Sequence, residues 1–148
     1  MKKTLVSLLI ALPILMSCGD DNDTQKPLIK IISPENEHLF HPEENIALHV
    51  IFSDNEELAS YKIEIHINSD GHNHKSTTLL EAPFEYDLEG NFENGISTFT
   101  LEKEIPIPAT IDGVSIKEGE YHLGIHCIDK AGNEQEMFIA VDIEKEHL

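Results

Sequence analysis

The stretch EGEYHLGIHCIDKAGNEQEMFIAVDIE, residues 118–144, alternates with a period of two on both sides of a turn. Tyr121, Leu123, Ile125 and Cys127 fall on one face, with His122, Gly124 and His126 on the other. After the turn Lys130-Ala131-Gly132-Asn133, the residues Met137, Ile139, Val141 and Ile143 form a second apolar set. Strands with one apolar and one polar face belong to antiparallel sheets wetted on one side. Inward residues of both strands are odd-numbered, so directly opposed residues must sum to an even number. A sum of 262 sets His126 against Glu136 and Gly124 against Phe138, an aromatic covering a glycine.

Working outward, the same alternation predicts strands over 28–32, 46–52, 61–68, 76–80, 96–105, 120–128 and 136–143, with a shorter piece at 84–88. Tyr61, Ile63, Ile65 and Ile67 share one face against Lys62, Glu64, His66 and Asn68. Ser33-Pro34, Ser53-Asp54-Asn55, Asp70-Gly71 and Asp112-Gly113 supply turns, and Pro106 and Pro108 stop a strand because neither can donate to a ladder. No segment keeps helical periodicity. Seven or eight short strands in this length predict an all-β sandwich.

The N-terminus carries an address. Lys2 and Lys3 precede an apolar run from Leu5 to Met16, and Leu15-Met16-Ser17-Cys18 has the form of a bacterial lipoprotein cleavage box. A charged start, a short apolar stretch and a small residue before the cut read as an export signal. The run is too short to span a bilayer, which takes roughly 20 apolar residues. Residues 1–17 are therefore expected to be removed, leaving 131 of the 148 residues with Cys18 as the lipidated N-terminus. Residues 18–27 form an acidic flexible tether, and 28–146 the domain. The aspartates at 20, 21 and 23 lack the glycine and distal glutamate of an EF-hand calcium loop. They look instead like the acidic stretch that sends some lipoproteins to the outer face of the outer membrane. The expected location is the cell envelope, lipid-anchored to the outer membrane and surface-exposed.

The mature chain sets eight lysines and no arginine against 28 acidic residues, a formal charge of −20. Nucleic-acid binding, which relies on Lys and Arg neutralising phosphates, is excluded as a function class. The same charge opposes an anionic bilayer surface, so membrane attachment is expected through lipid on Cys18. An acidic exterior attracts cations weakly and without selectivity. With Cys18 lipidated, Cys127 has no disulfide partner and reads as a small buried hydrophobe.

The 118–144 stretch resembles the last hairpin of bacterial immunoglobulin-like domains, where a Gly-x-Tyr opens one strand and an Asp-x-x-Gly-Asn turn leads to the next. Tyr121 is then placed for a tyrosine corner, its hydroxyl returning to backbone upstream. Together with the cleavage box and the segments IEIHINSDGHNHK (63–75) and EYHLGIHCIDKAGN (120–133), the chain resembles an uncharacterised family, a domain of unknown function, of His-rich bacterial lipoproteins. The resemblance implies a single immunoglobulin-like antiparallel β-sandwich of seven to eight strands and an address in the cell envelope, and it brings no established activity with it.

Nine histidines are many for this length. His66, His72 and His74 fall within nine residues, and His122 and His126 share a later strand. In an immunoglobulin-like sandwich these two strands, C and F, are antiparallel neighbours, which brings His66 and His122 together beneath the loop carrying His72 and His74. Imidazole is a good ligand for zinc and copper, so His66, His72, His74 and His122 are the candidate metal site, with Glu64, Asp70 and His126 secondary. His122 and His126 lie about 13 Å apart and cannot share one ion. His38, His41, His49 and His147 read as solvated surface residues.

No GxSxG, HExxH or phosphate-cradling glycine loop is present, so no enzyme and no catalytic residue is expected. The first expectation is thus an extracytoplasmic immunoglobulin-like module binding zinc or copper through histidines. The rival is a cell-surface module for a protein or glycan partner with the histidines incidental. A third reading makes the histidines pH sensors, since imidazole titrates near pH 6.5.

Overall fold

Alternation becomes strand wherever it runs long enough to pair. The computed structural model describes residues 23–68 and 80–146. Eleven strands follow in order: β1 (Leu28–Ser33), β2 (His38–Phe40), β3 (Asn45–Ser53), β4 (Leu58–Ile67), β5 (Glu81–Ala82), β6 (Tyr86–Asn91), β7 (Thr98–Pro106), β8 (Thr110–Ile111), β9 (Val114–Ile116), β10 (Gly119–Asp129) and β11 (Glu134–Ile143). They form three sheets, ordered β1-β3-β7, β2-β11-β10-β4-β6 and β5-β9-β8. Pairing is antiparallel except where β2 meets β11 and β5 meets β9.

The inward sets of the two larger sheets face each other in one core. Ile46, Leu48, Val50 and Phe52 from β3 cluster with Ile63 and Ile65 from β4, with Tyr121, Leu123, Ile125 and Cys127 from β10, and with Val141 and Ile143 from β11. Each is at most 1 % exposed. Burying a side chain of this size contributes about 1.5–3 kcal/mol relative to leaving it in water. Tyr61, Phe52, Phe92 and Phe99 add an aromatic group at one end.

The expectation of a single seven- to eight-stranded immunoglobulin-like sandwich is overturned: eleven strands lie in three separate sheets, none closed on itself. The extra strands are two or three residues long, and a stretch that short carries no readable alternation. β8 and β9 pair across Asp112-Gly113, whose φ values of 52° and 80° give the left-handed backbone that a tight hairpin needs. The piece expected at 84–88 is displaced to 86–91. The strand expected at 76–80 falls largely outside the described residues.

Two local expectations hold. The Tyr121 hydroxyl donates to the Lys117 carbonyl (2.6 Å) and accepts from the Phe84 amide (3.2 Å), and its burial raises its pKa. In the β10–β11 ladder, His126 faces Glu136 and Gly124 faces Phe138. A Cβ at Gly124 would collide with the Phe138 ring, so the glycine is what lets the ring lie across the strand.

Candidate metal centre

At the end of β10 the chain leaves the core through Asp129, the only buried charged side chain among the described residues at 2 % exposure. The turn that follows is built around it. Asp129 Oδ1 accepts the Asn133 amide N–H (2.8 Å), and Oδ2 accepts the Asn133 side-chain amide (2.8 Å). Gly132, at φ 92°, closes the turn by donating to the Asp129 carbonyl (3.2 Å). The same Asn133 side chain donates to the Asp23 carbonyl (3.1 Å), fastening the segment before β1 to this turn.

Asp54 begins the connection from β3 to β4. Its Oδ2 accepts the amides of Glu56 and Glu57, both at 2.9 Å, a local turn that asparagine and aspartate make readily. The Lys130 amide donates to the Glu57 carbonyl (2.9 Å), holding this connection against the β10–β11 turn. Asp23 Oδ1 accepts the Gln25 amide (2.9 Å).

Three chain segments thus bring Asp23, Asp54 and Asp129 together, one carboxylate oxygen of each lying within 4.8 Å of the others. Asp23 Oδ2 and Asp54 Oδ1 are sealed from solvent without a hydrogen-bond partner. Among the described residues, every ion pair is made elsewhere; the nearby Lys130 ammonium goes to Asn94 (3.1 Å) and Glu57 (3.7 Å). Leaving a buried acceptor unsatisfied costs about 1–3 kcal/mol, and more when it is charged. Oxygens sharing one ion at about 2.4 Å are at most about 4.8 Å apart, so the three carboxylates lie close enough to share a divalent ion. Its field also reaches the core. Burial, then the charges of Asp54 and Asp129, push the Cys127 thiol up to about 12, which leaves it protonated and inert.

The histidines make a different arrangement. His66 and His122 are directly opposite across β4 and β10, their ring centroids 5.6 Å apart and edge-on. His66 Nε2 lies 4.0 Å from Glu64, and His122 Nε2 lies 3.9 Å from Glu120. His126 sits between Glu64 (3.3 Å) and Glu136 (3.6 Å). Glu64 is held below the usual carboxylate range chiefly by the Lys62 ammonium, 2.7 Å away, and further by His126. His72, His74, Asp70 and Cys18 lie outside the described residues.

The expectation of a transition-metal site made by a histidine cluster where β4 and β10 meet is therefore corrected. The cluster with metal-chelating geometry among the described residues is made of three aspartates, and its donors are all oxygen. It lies at the opposite end of β10 from His122, seven residues or about 23 Å along the strand. These donors can chelate a divalent ion and specify neither zinc nor copper. In the sequence, the aspartates at 20, 21 and 23 do not fit an EF-hand, and the stretches around Asp54 and Asp129 read as turns. The missed signal is that two of those turns, SDN at 53–55 and DKAGN at 129–133, end the neighbouring-sheet strands β3 and β10 on one pole of the domain.

A search of curated proteins returns no match. Residues 16–144 match the model of a domain of unknown function, DUF4625. With that match covering most of its length, the chain belongs to the DUF4625 family.

Proposed function

We propose that the domain binds one calcium ion at Asp23, Asp54 and Asp129 and uses it as a clamp. The ion joins the segment entering β1 to the β3–β4 and β10–β11 connections, fixing the direction in which the N-terminal segment leaves the domain. The carrying observation is the pair of sealed, unpartnered carboxylate oxygens inside a triad that has no basic neighbour in pairing distance among the described residues. Calcium fits better than magnesium because it accepts irregular oxygen shells completed by carbonyls and water, whereas magnesium demands a near-ideal octahedron. The role is binding and mechanical rather than catalytic.

The leader sequence and Cys18 support a lipid-anchored place in the cell envelope, where a clamp near the anchor would set how the domain stands off the membrane. Extracellular calcium modules bind at about 10⁻⁴–10⁻³ M, and the same range is expected for a triad with three protein carboxylates. Calorimetric titration of the metal-stripped chain tests the reading. One calcium per chain is expected, with binding lost in Asp129→Asn. Calcium uptake that Asp129→Asn leaves intact would refute the site.

A further inference from the structure

The outer face of the five-stranded sheet carries a groove of about 940 Å³ that the calcium clamp does not use. Its floor is two rows of side chains running across four strands. The register aligns Glu89, Lys62, His126 and Glu136 in one row, and Asn91, Ser60, Ile128 and Glu134 in the next. Ser60 is the short residue between them, and Lys26, from the segment before β1, lines one side. Four strands across give a length of roughly 14 Å, room for two or three hexose units. The volume lies within the range of small-ligand clefts, about 300–1,000 Å³.

We propose that this groove binds a short neutral oligosaccharide. The argument is charge and hydrogen-bond complementarity. Glu89, Glu134 and Glu136 only accept hydrogen bonds when ionised, whereas Lys26 only donates, as does the one ammonium N–H that Lys62 keeps beyond its pairs with Glu64 (2.7 Å) and Asp87 (3.2 Å). Asn91, Ser60 and Gln135 do both. A cationic ligand would meet the two lysines, and an anionic one the three carboxylates. Sugar hydroxyls donate to the acids and accept from the ammonium groups at once, so a neutral polyol leaves neither set unpaired. Ile128 offers apolar surface within the groove for the C–H faces of the rings, and the half-exposed Phe138 ring, edge-on to His126 at 5.4 Å, stands in the next row beside it. The Phe138 ring can lie there only because Gly124 beneath it has no side chain.

The floor of the groove stands on strand register and does not depend on the calcium reading, whereas its Lys26 side belongs to the segment that the clamp would hold. The test is calorimetric and NMR titration of the purified chain with neutral trisaccharides of glucose, mannose, xylose and N-acetylglucosamine. Tetralysine and a heparin tetrasaccharide serve as charged probes, and every titration is run both in calcium and in EDTA. Saturable binding of a neutral trisaccharide in either buffer is expected, with amide shifts centred on Ser60, His126 and Ile128. Ser60→Phe, which fills the groove from the solvent face, and Asn91→Ala, at the exposed end of β6, should each weaken it at least about tenfold at unchanged melting temperature. Absence of binding by all four sugars, tighter binding of either charged probe, or binding indifferent to both variants would overturn the proposal.

Discussion

Asp54 Oδ2 caps two amides while Oδ1 faces the triad without a partner. Asp54→Asn can therefore keep both caps through its amide oxygen and place an NH₂ group where the unpartnered oxygen lay. In metal-free protein that change removes two carboxylate–carboxylate contacts within 4.8 Å. Two unit charges at that separation repel by about 0.9 kcal/mol in water and about 3.5 kcal/mol at an effective dielectric of 20. Asp23 and Asp54 are only partly buried, so the water limit is the safer guide, and the metal-free variant should be about 2 kcal/mol more stable than wild type. Calcium reverses the order. A ligand at 100 times its dissociation constant stabilises the native state by about 2.7 kcal/mol, and at 1,000 times by about 4.1 kcal/mol. Wild type gains this and the variant does not, so wild type should lead by about 1–2 kcal/mol in saturating calcium. Urea unfolding followed by circular dichroism at pH 7, in EDTA and in calcium, measures both differences. A variant effect of the same sign in both buffers would refute the reasoning.

Three further perturbations probe the frame around the site. Tyr121→Phe removes the donor to Lys117 and leaves the buried Phe84 amide unsatisfied; a loss of about 1–3 kcal/mol in urea unfolding is expected, and an unchanged midpoint would contradict the bond. Gly124→Ala forces its methyl into the Phe138 ring and should destabilise by about 1–3 kcal/mol; the double variant with Phe138→Ala should recover most of that loss, whereas strict additivity would show that the ring is not the obstacle. Glu64 has a lowered native pKa, so its ionised form contributes stability above the ordinary glutamate range, and this is lost as pH falls through the native value. The stability difference between wild type and Glu64→Gln should be present at pH 7 and shrink steadily below about pH 4.5; a difference independent of pH would contradict the Lys62–Glu64–His126 arrangement.

Legibility in the sequence followed segment length. β3, β4, β10 and β11 each alternate over nine to eleven residues, enough for the period to be read and for inward faces to be assigned. One glycine and one phenylalanine sufficed to place β10 against β11, because the aromatic needs a strand position without a side chain beneath it. His38–Phe40 and Thr110–Ile111 are too short for period to mean anything, and their pairing is decided by what the rest of the chain leaves open. The acidic triad is illegible for another reason. Its three aspartates lie at 23, 54 and 129, outside any fixed spacing, and meet only after two sheets have packed. Histidines close in sequence point elsewhere, although His66, His122 and His126 are already flanked by glutamates.

The most direct test is a crystal of the chain grown in calcium, measured at a wavelength where calcium scatters anomalously. The account predicts one anomalous peak between Asp23, Asp54 and Asp129, with carboxylate oxygens at about 2.3–2.6 Å. A calcium peak elsewhere, or density at the triad occupied only by water in saturating calcium, would contradict it.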